Sequence, residues 1–136
     1  MFDRKIQPPL ERFKPIDFIK PEIKSLNNKA RLYFSQKVPN NTSRLELYFD
    51  VGSIKGKTGL ASITSNLLFS GSKSQTAVQI QECFDELGAF KDLTLSQEEC
   101  VLSIYALNSK LPQVFDVLYS AINEVVFPQN EVDELL

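Results

Sequence analysis

The run Cys100 to Leu107 constrains the fold more than any other segment. Its two alternating sets of side chains, Val101, Tyr105 and Leu107 on one side and Leu102, Ile104 and Ala106 on the other, are both largely apolar. A strand that is apolar on both faces belongs in the interior of a sheet, with a neighbour on each edge. Candidate neighbours are present. Phe90 to Leu95 precedes it across the turn residues Ser96, Gln97 and Glu98, and Arg44 to Val51 alternates Leu45, Leu47, Phe49 and Val51 with Glu46, Tyr48 and Asp50. Period two over eight residues reads as a half-buried strand. Further upstream, Ile23 to Leu26 and Ala30 to Gln36 flank Asn27, Asn28 and Lys29, and the Asn pair tolerates positive φ, so a hairpin is expected there. A second turn is expected at Pro39, Asn40 and Asn41.

Between the strands the period changes to that of a helix. Leu60, Ile63, Leu67 and Leu68 recur at helical spacing until Gly71. A second helix, capped by Ser74 or Thr76, carries Ala77, Ile80, Phe84 and Leu87 as its buried stripe and stops at Gly88. A third places Leu111, Val114, Phe115, Leu118, Ile122 and Val125 on one face before Phe127 and Pro128, and Asn130, Glu131 and Val132 open another that the sequence cuts off at Leu136. Strands, two helices, strands and a helix make an α+β order: an antiparallel sheet with helices packed on one face. Residues 1–21, with Pro8, Pro9, Pro15 and Pro21, read as an extended Pro-rich arm, and 22–136 as the domain proper. A helix begun near Asn130 cannot bury a face in seven residues, so the chain is expected to be a fragment truncated in its last helix.

Composition narrows the chemistry. The 136 residues include no His, which excludes Ser-His-Asp and Cys-His nucleophiles and every His-ligated zinc site. With 15 Lys plus Arg scattered among 17 Asp plus Glu, no basic field draws in a phosphate backbone, and nucleic-acid binding is disfavoured. No apolar run long enough to span a bilayer and no signal-peptide core is seen, and two Cys, Cys83 and Cys100, suit a reducing compartment, so the expected location is cytoplasmic. Both thiols read as small buried hydrophobes. Lys55 and Lys57 around Gly56 fit no phosphate-loop spacing and read as a solvated turn, Glu98 and Glu99 have no carboxylate opposite them, and the Asn40-Asn41-Thr42 sequon carries no meaning in a cytosolic protein.

The run Gly59 Leu60 Ala61 Ser62 Ile63 Thr64 Ser65 Asn66 Leu67 Leu68 Phe69 Ser70 Gly71 Ser72, entered through Val51 Gly52 Ser53, resembles the insulinase and pitrilysin type of zinc metallopeptidase, which includes the mitochondrial processing peptidase. In that family a strand ends in a G-S turn, and a helix of the form G-L-A-H-x-x-E-H-x-L-F-x-G-T carries the inverted zinc motif. The likeness continues through Leu87 Gly88 Ala89, the strand pair, the helix after Leu111 and Phe127 Pro128.

Superposing this frame puts Ser62 and Asn66 where the two zinc His belong and Ser65 where the general-base Glu belongs. Neutral hydroxyl and amide groups are weak ligands for Zn²⁺, and loss of the carboxylate removes the acceptor for the attacking water's proton, an effect of about 10² to 10⁴ in rate. The family's third ligand, a Glu, would lie beyond Leu136. The resemblance therefore implies a catalytically inactive homologue with no catalytic residue, metal or cofactor, whose partners are an active paralogous peptidase subunit and an extended peptide. The competing expectation is a stand-alone α+β interaction module that shares only the fold. Residual activity with a metal supplied by another domain ranks below both.

Overall fold

The computed structural model describes residues 18–35 and 40–135. Of the Pro-rich arm, residues 1–17 lie outside the described part, as do Gln36 to Pro39 and Leu136; Phe18 to Pro21 have no regular secondary structure. The described residues fall into two compact units, divided after Pro39.

The first unit contains the expected hairpin. Strands β1 (Glu22–Ser25) and β2 (Arg31–Phe34) pair antiparallel, with Ile23 opposite Tyr33 and Lys24 opposite Leu32. The turn is built differently from the expectation. Lys29, not an Asn, takes the left-handed conformation at φ 67°, and its N–H donates to the Leu26 carbonyl at 2.9 Å while Leu26 N–H donates to Ala30 O at 2.8 Å. Asn28 contributes through its side chain, whose Oδ1 accepts from Ala30 N–H. A three-residue loop of this kind needs positive φ only at its last position.

The second unit holds a three-stranded antiparallel sheet in the order β3-β5-β4, from β3 (Thr42–Phe49), β4 (Phe90–Leu95) and β5 (Cys100–Leu107). The strand that is apolar on both faces is the central one. The expected strands therefore divide between two sheets rather than forming one. Register puts Leu47, Leu102 and Leu93 in one row and Leu45, Ile104 and Lys91 in the next, all facing the helices. The alternate set, Arg44, Tyr48, Phe90 and Tyr105, faces away and is exposed. The sequence alternation predicts this division because successive strand side chains point to opposite faces.

Among the described residues there are four α-helices: α1 (Leu60–Asn66) and α2 (Ala77–Glu86) between β3 and β4, and α3 (Leu111–Asn123) and α4 (Gln129–Glu134) after β5. Thr76 is the cap of α2, and the capping is reciprocal: Gln79 N–H donates to Thr76 Oγ1 and Thr76 N–H donates to Gln79 Oε1. Ile80 and Phe84 of α2 and Val114, Leu118 and Ala121 of α3 close on Leu102, Ile104 and Ala106 of β5 to make the core. Two expected stripe residues are exposed instead: Phe115 at 47% and Leu60 at 55%. In α3 the buried stripe runs through Val114, Leu118 and Ala121.

Gly52, three residues past the end of β3, has a packing reason to be glycine. A Cβ there would lie 2.0 Å from the Gln97 carbonyl oxygen, because the β4–β5 turn rests directly on it. Ser53 and Ile54 N–H groups donate to Ser96 O and Gln97 O, and Ser96 Oγ in turn accepts from the N–H groups of Glu98 and Glu99. The loop into α1 is thereby tied to the β4–β5 turn at the same end of the sheet.

Candidate functional site

Helix α1 starts without a side-chain cap. Gly59 precedes it at φ 80°, a conformation that favours glycine, and the Gly59 carbonyl accepts from Ile63 N–H at 2.9 Å. Only Ala61 of its seven residues is buried, followed by Leu67 just past its end. With so little apolar surface engaged, the helix presents most of its circumference to solvent.

The three positions singled out in the sequence all lie on this helix but do not share one environment. Ser62 is exposed, and its carbonyl accepts a hydrogen bond from Ser65 Oγ at 2.9 Å. Ser65 and Asn66 line an open depression of about 310 Å³ together with Phe69, Lys91 and Leu93. Ser62 is not among the lining residues. The Ser65 hydroxyl proton is thus turned back on the helix, leaving its oxygen as an acceptor. Asn66 is exposed, with no partner for its side-chain amide among the described residues.

Lys91 is the residue that inspection of motifs misses. It sits on β4, in the row that faces the helices, and its ammonium lies 5.1 Å from the Phe84 ring centre and 5.3 Å from that of Phe69. The two rings meet edge to face with centroids 6.1 Å apart. The Lys91 ammonium also donates to Gln81 Oε1 of α2, whose amide nitrogen donates to Asp85 at 2.9 Å. Burial lowers the Lys91 pKa from its ordinary value, with the charge of Asp85 pulling the other way. No ion pair to Lys91 exists among the described residues; the two ion pairs there are Arg44–Glu46 and Lys55–Asp50. The signal in the sequence was the alternation Lys91, Leu93, Leu95, which places a cation in an apolar row.

Other chemical candidates are separate from this depression. Both cysteines are free thiols; Cys100 is buried in β5 and burial pushes its pKa up, while Cys83 accepts from Gln75 Nε2. No group of His, Cys, Asp and Glu able to hold a metal ion exists among the described residues. A second depression, of about 340 Å³, lies at the start of α2 beside Ser72, Lys73 and Thr76, where the Thr76 cap already engages the Gln79 N–H. No helix among the described residues is long and apolar enough to cross a membrane.

The helices gathered on one face of an antiparallel sheet, with a short glycine-led helix beside the sheet edge, define an α+β domain of the peptidase-like kind. Residues 31–136 match the family model described as Insulinase (Peptidase family M16), and the chain belongs to that family. No curated protein matches the chain. Among solved structures it is similar to a peptidase M16 inactive domain from Pseudomonas fluorescens, at 20% identity and a TM-score of 0.80 over 86% of this chain. It is similar as well to a protease from Helicobacter pylori, at 16% identity and a TM-score of 0.75 over 85% of this chain. In both cases the match spans 29% of the other chain, so the likeness is one of fold over about a third of a longer molecule.

Proposed function

We propose that this chain is a non-catalytic member of the insulinase family, part of a larger peptidase-like protein in which residues 22–136 belong to the N-terminal domain. Its role is to support an active peptidase partner and to contact an extended peptide. The observation that carries this reading is the chemistry of the recess beside α1. Where the family resemblance implies a zinc ligand and a general base, Asn66 and Ser65 line a recess whose one charged side chain is the Lys91 ammonium. A fixed positive charge repels Zn²⁺, and neither a hydroxyl nor an amide replaces a thiolate, imidazole or carboxylate as its anchor. A proton acceptor for an attacking water is missing as well, since the Ser65 hydroxyl has no basic partner and bonds to a helix carbonyl. The inactive-domain neighbour is consistent with this reading.

The test measures zinc content and peptide cleavage by the full protein alone and after mixing with an active paralogue. The expected result is no stoichiometric zinc and no cleavage alone, together with formation of a hetero-oligomer. Cleavage or stoichiometric zinc in the isolated protein sinks the proposal. A monomer indifferent to every such paralogue would instead favour the interaction module.

A further inference from the structure

We infer that the recess beside α1 binds a carboxylate of an extended peptide, with the Lys91 ammonium as its charge anchor and the Asn66 amide as a second donor. The inference deepens the non-catalytic reading, on which it rests for the kind of ligand, by giving the chemistry of the peptide group that the recess selects.

An ammonium has three N–H donors. Gln81 Oε1 takes one of those of Lys91, and the rings of Phe69 and Phe84 offer it their negative faces but no lone pairs. The remaining donors have no acceptor among the described residues, and the group has no counter-ion there. Asp85, the one carboxylate whose charge is felt at Lys91, is held by the Gln81 amide rather than by the ammonium. The cation is therefore partly stripped of water, set against two aromatic rings and without an ion-pair partner among the described residues, on a side chain that lines an open recess. A charge in that state gains more from an incoming anion than a fully hydrated surface lysine does, because less water must be displaced and the local dielectric is lower.

The rest of the lining fits an acid on a peptide. Asn66, whose amide has no partner, supplies a neutral donor, and the Ser65 oxygen is left as an acceptor for a backbone N–H. Phe69 and Leu93 provide an apolar wall for the aliphatic part of the ligand. The recess thus carries a fixed positive charge beside the helix that resembles the family's zinc-motif helix. It can then hold an acidic group of a peptide that it cannot cut.

The experiment uses the full chain and three labelled, extended octapeptides of otherwise common sequence. One carries a single central Glu and a C-terminal amide, its twin carries Gln in the same place, and the third carries Gln with a free C-terminal carboxylate. Binding is followed by fluorescence anisotropy, and the site is located by amide chemical-shift changes. At least one acid peptide is expected to bind about 10-fold or more tightly than the Gln amide twin, in line with a charge-assisted hydrogen bond. The shifts should centre on Ser65, Asn66 and Lys91. The Glu peptide and the free-terminus peptide tell which carboxylate is used.

Lys91→Gln should reduce the acid preference to less than 2-fold, and Lys91→Arg should restore most of it. Because Lys91 also covers two core rings, Asn66→Asp gives a second reading on an exposed residue: an added negative charge in the recess should abolish the preference without altering thermal stability. Equal affinity for the acid peptides and the neutral twin in the unmodified protein, no binding of any peptide at 1 mM or so, or an acid preference that survives Lys91→Gln overturns the inference. Those results leave the non-catalytic reading untouched. Zinc uptake or cleavage, by contrast, removes that reading whatever the peptide affinities are.

Discussion

Helices α1 and α2 follow one another in the chain and pack against the same strand, β4, yet they are held in unlike ways. The second has a reciprocal cap at Thr76 and Gln79 and drives Ile80 and Phe84, each 1% exposed, into the core. The first has no side-chain cap, begins after a left-handed glycine and buries only Ala61 within its seven residues. An isolated helix of that length does not persist in water, so α1 depends on Leu67 and on its flanking loop for its place. Elements that carry binding or catalytic groups are commonly drawn from the less stable part of a fold, where side chains are free to face a ligand rather than a core. The contrast here follows that rule: the helix that resembles a motif helix is the weakly anchored one, and the scaffold beside it is firm.

The sharpest way to break this contrast is in the core. Phe84→Ala removes a ring packed edge to face on Phe69 and covered by Lys91, and should destabilise the chain by about 3–5 kcal/mol in urea denaturation. A loss below about 1 kcal/mol would mean that α2 is no better anchored than α1. Gly52→Ala comes next. Its Cβ would strike the backbone of Gln97 and Glu98, so the β4–β5 turn must move, with an expected loss of about 1–3 kcal/mol and a larger amide-exchange rate in the loop before α1.

Thr76→Ala should lower stability by about 1 kcal/mol through loss of the cap, read from the shift in denaturation midpoint. Smallest of all is Asn66→Ala. The side chain is exposed and bonds to nothing described, so stability should stay within about 0.5 kcal/mol of the parent. A drop of more than about 1 kcal/mol would show that α1 contributes to the core in a way its burial does not indicate. Chemistry at the two thiols extends the same comparison: Cys100 should react with iodoacetamide more slowly at neutral pH than half-buried Cys83, because burial shields its sulfur from the reagent and also pushes its own pKa up.

Much of this architecture was legible in the residues. β4 and β5 begin and end where the alternation says they do, and the apolar-on-both-faces pattern of β5 identifies it as the central strand. The stripe of α2 was readable for the same reason, since a core face repeats at the helical period. α3 was readable less completely, because Phe115, next to the buried Val114, lies at the margin of the stripe and is exposed, while Ala121 is buried. The hairpin turn misled in detail. Asn tolerates positive φ better than Lys, but loop length decides which residue must adopt it, and that position fell on Lys29.

The candidate site was readable only as far as the chain is local. Ser62, Ser65 and Asn66 stand on one short helix, so their spacing could be compared with a family motif residue by residue. Lys91 lies on a different element, and nothing in its immediate neighbours reveals that its ammonium reaches Phe69, Gln81 and Phe84. By itself the sequence determined the element types, the buried faces, the family frame and the lack of imidazole, because each is written in residue type and short-range period. Tertiary structure alone decided that Ser65 and Asn66 share a recess with a lysine while Ser62 stays outside it. Which side chains meet across a sheet and a helix depends on register and packing distance, and a linear pattern does not carry either.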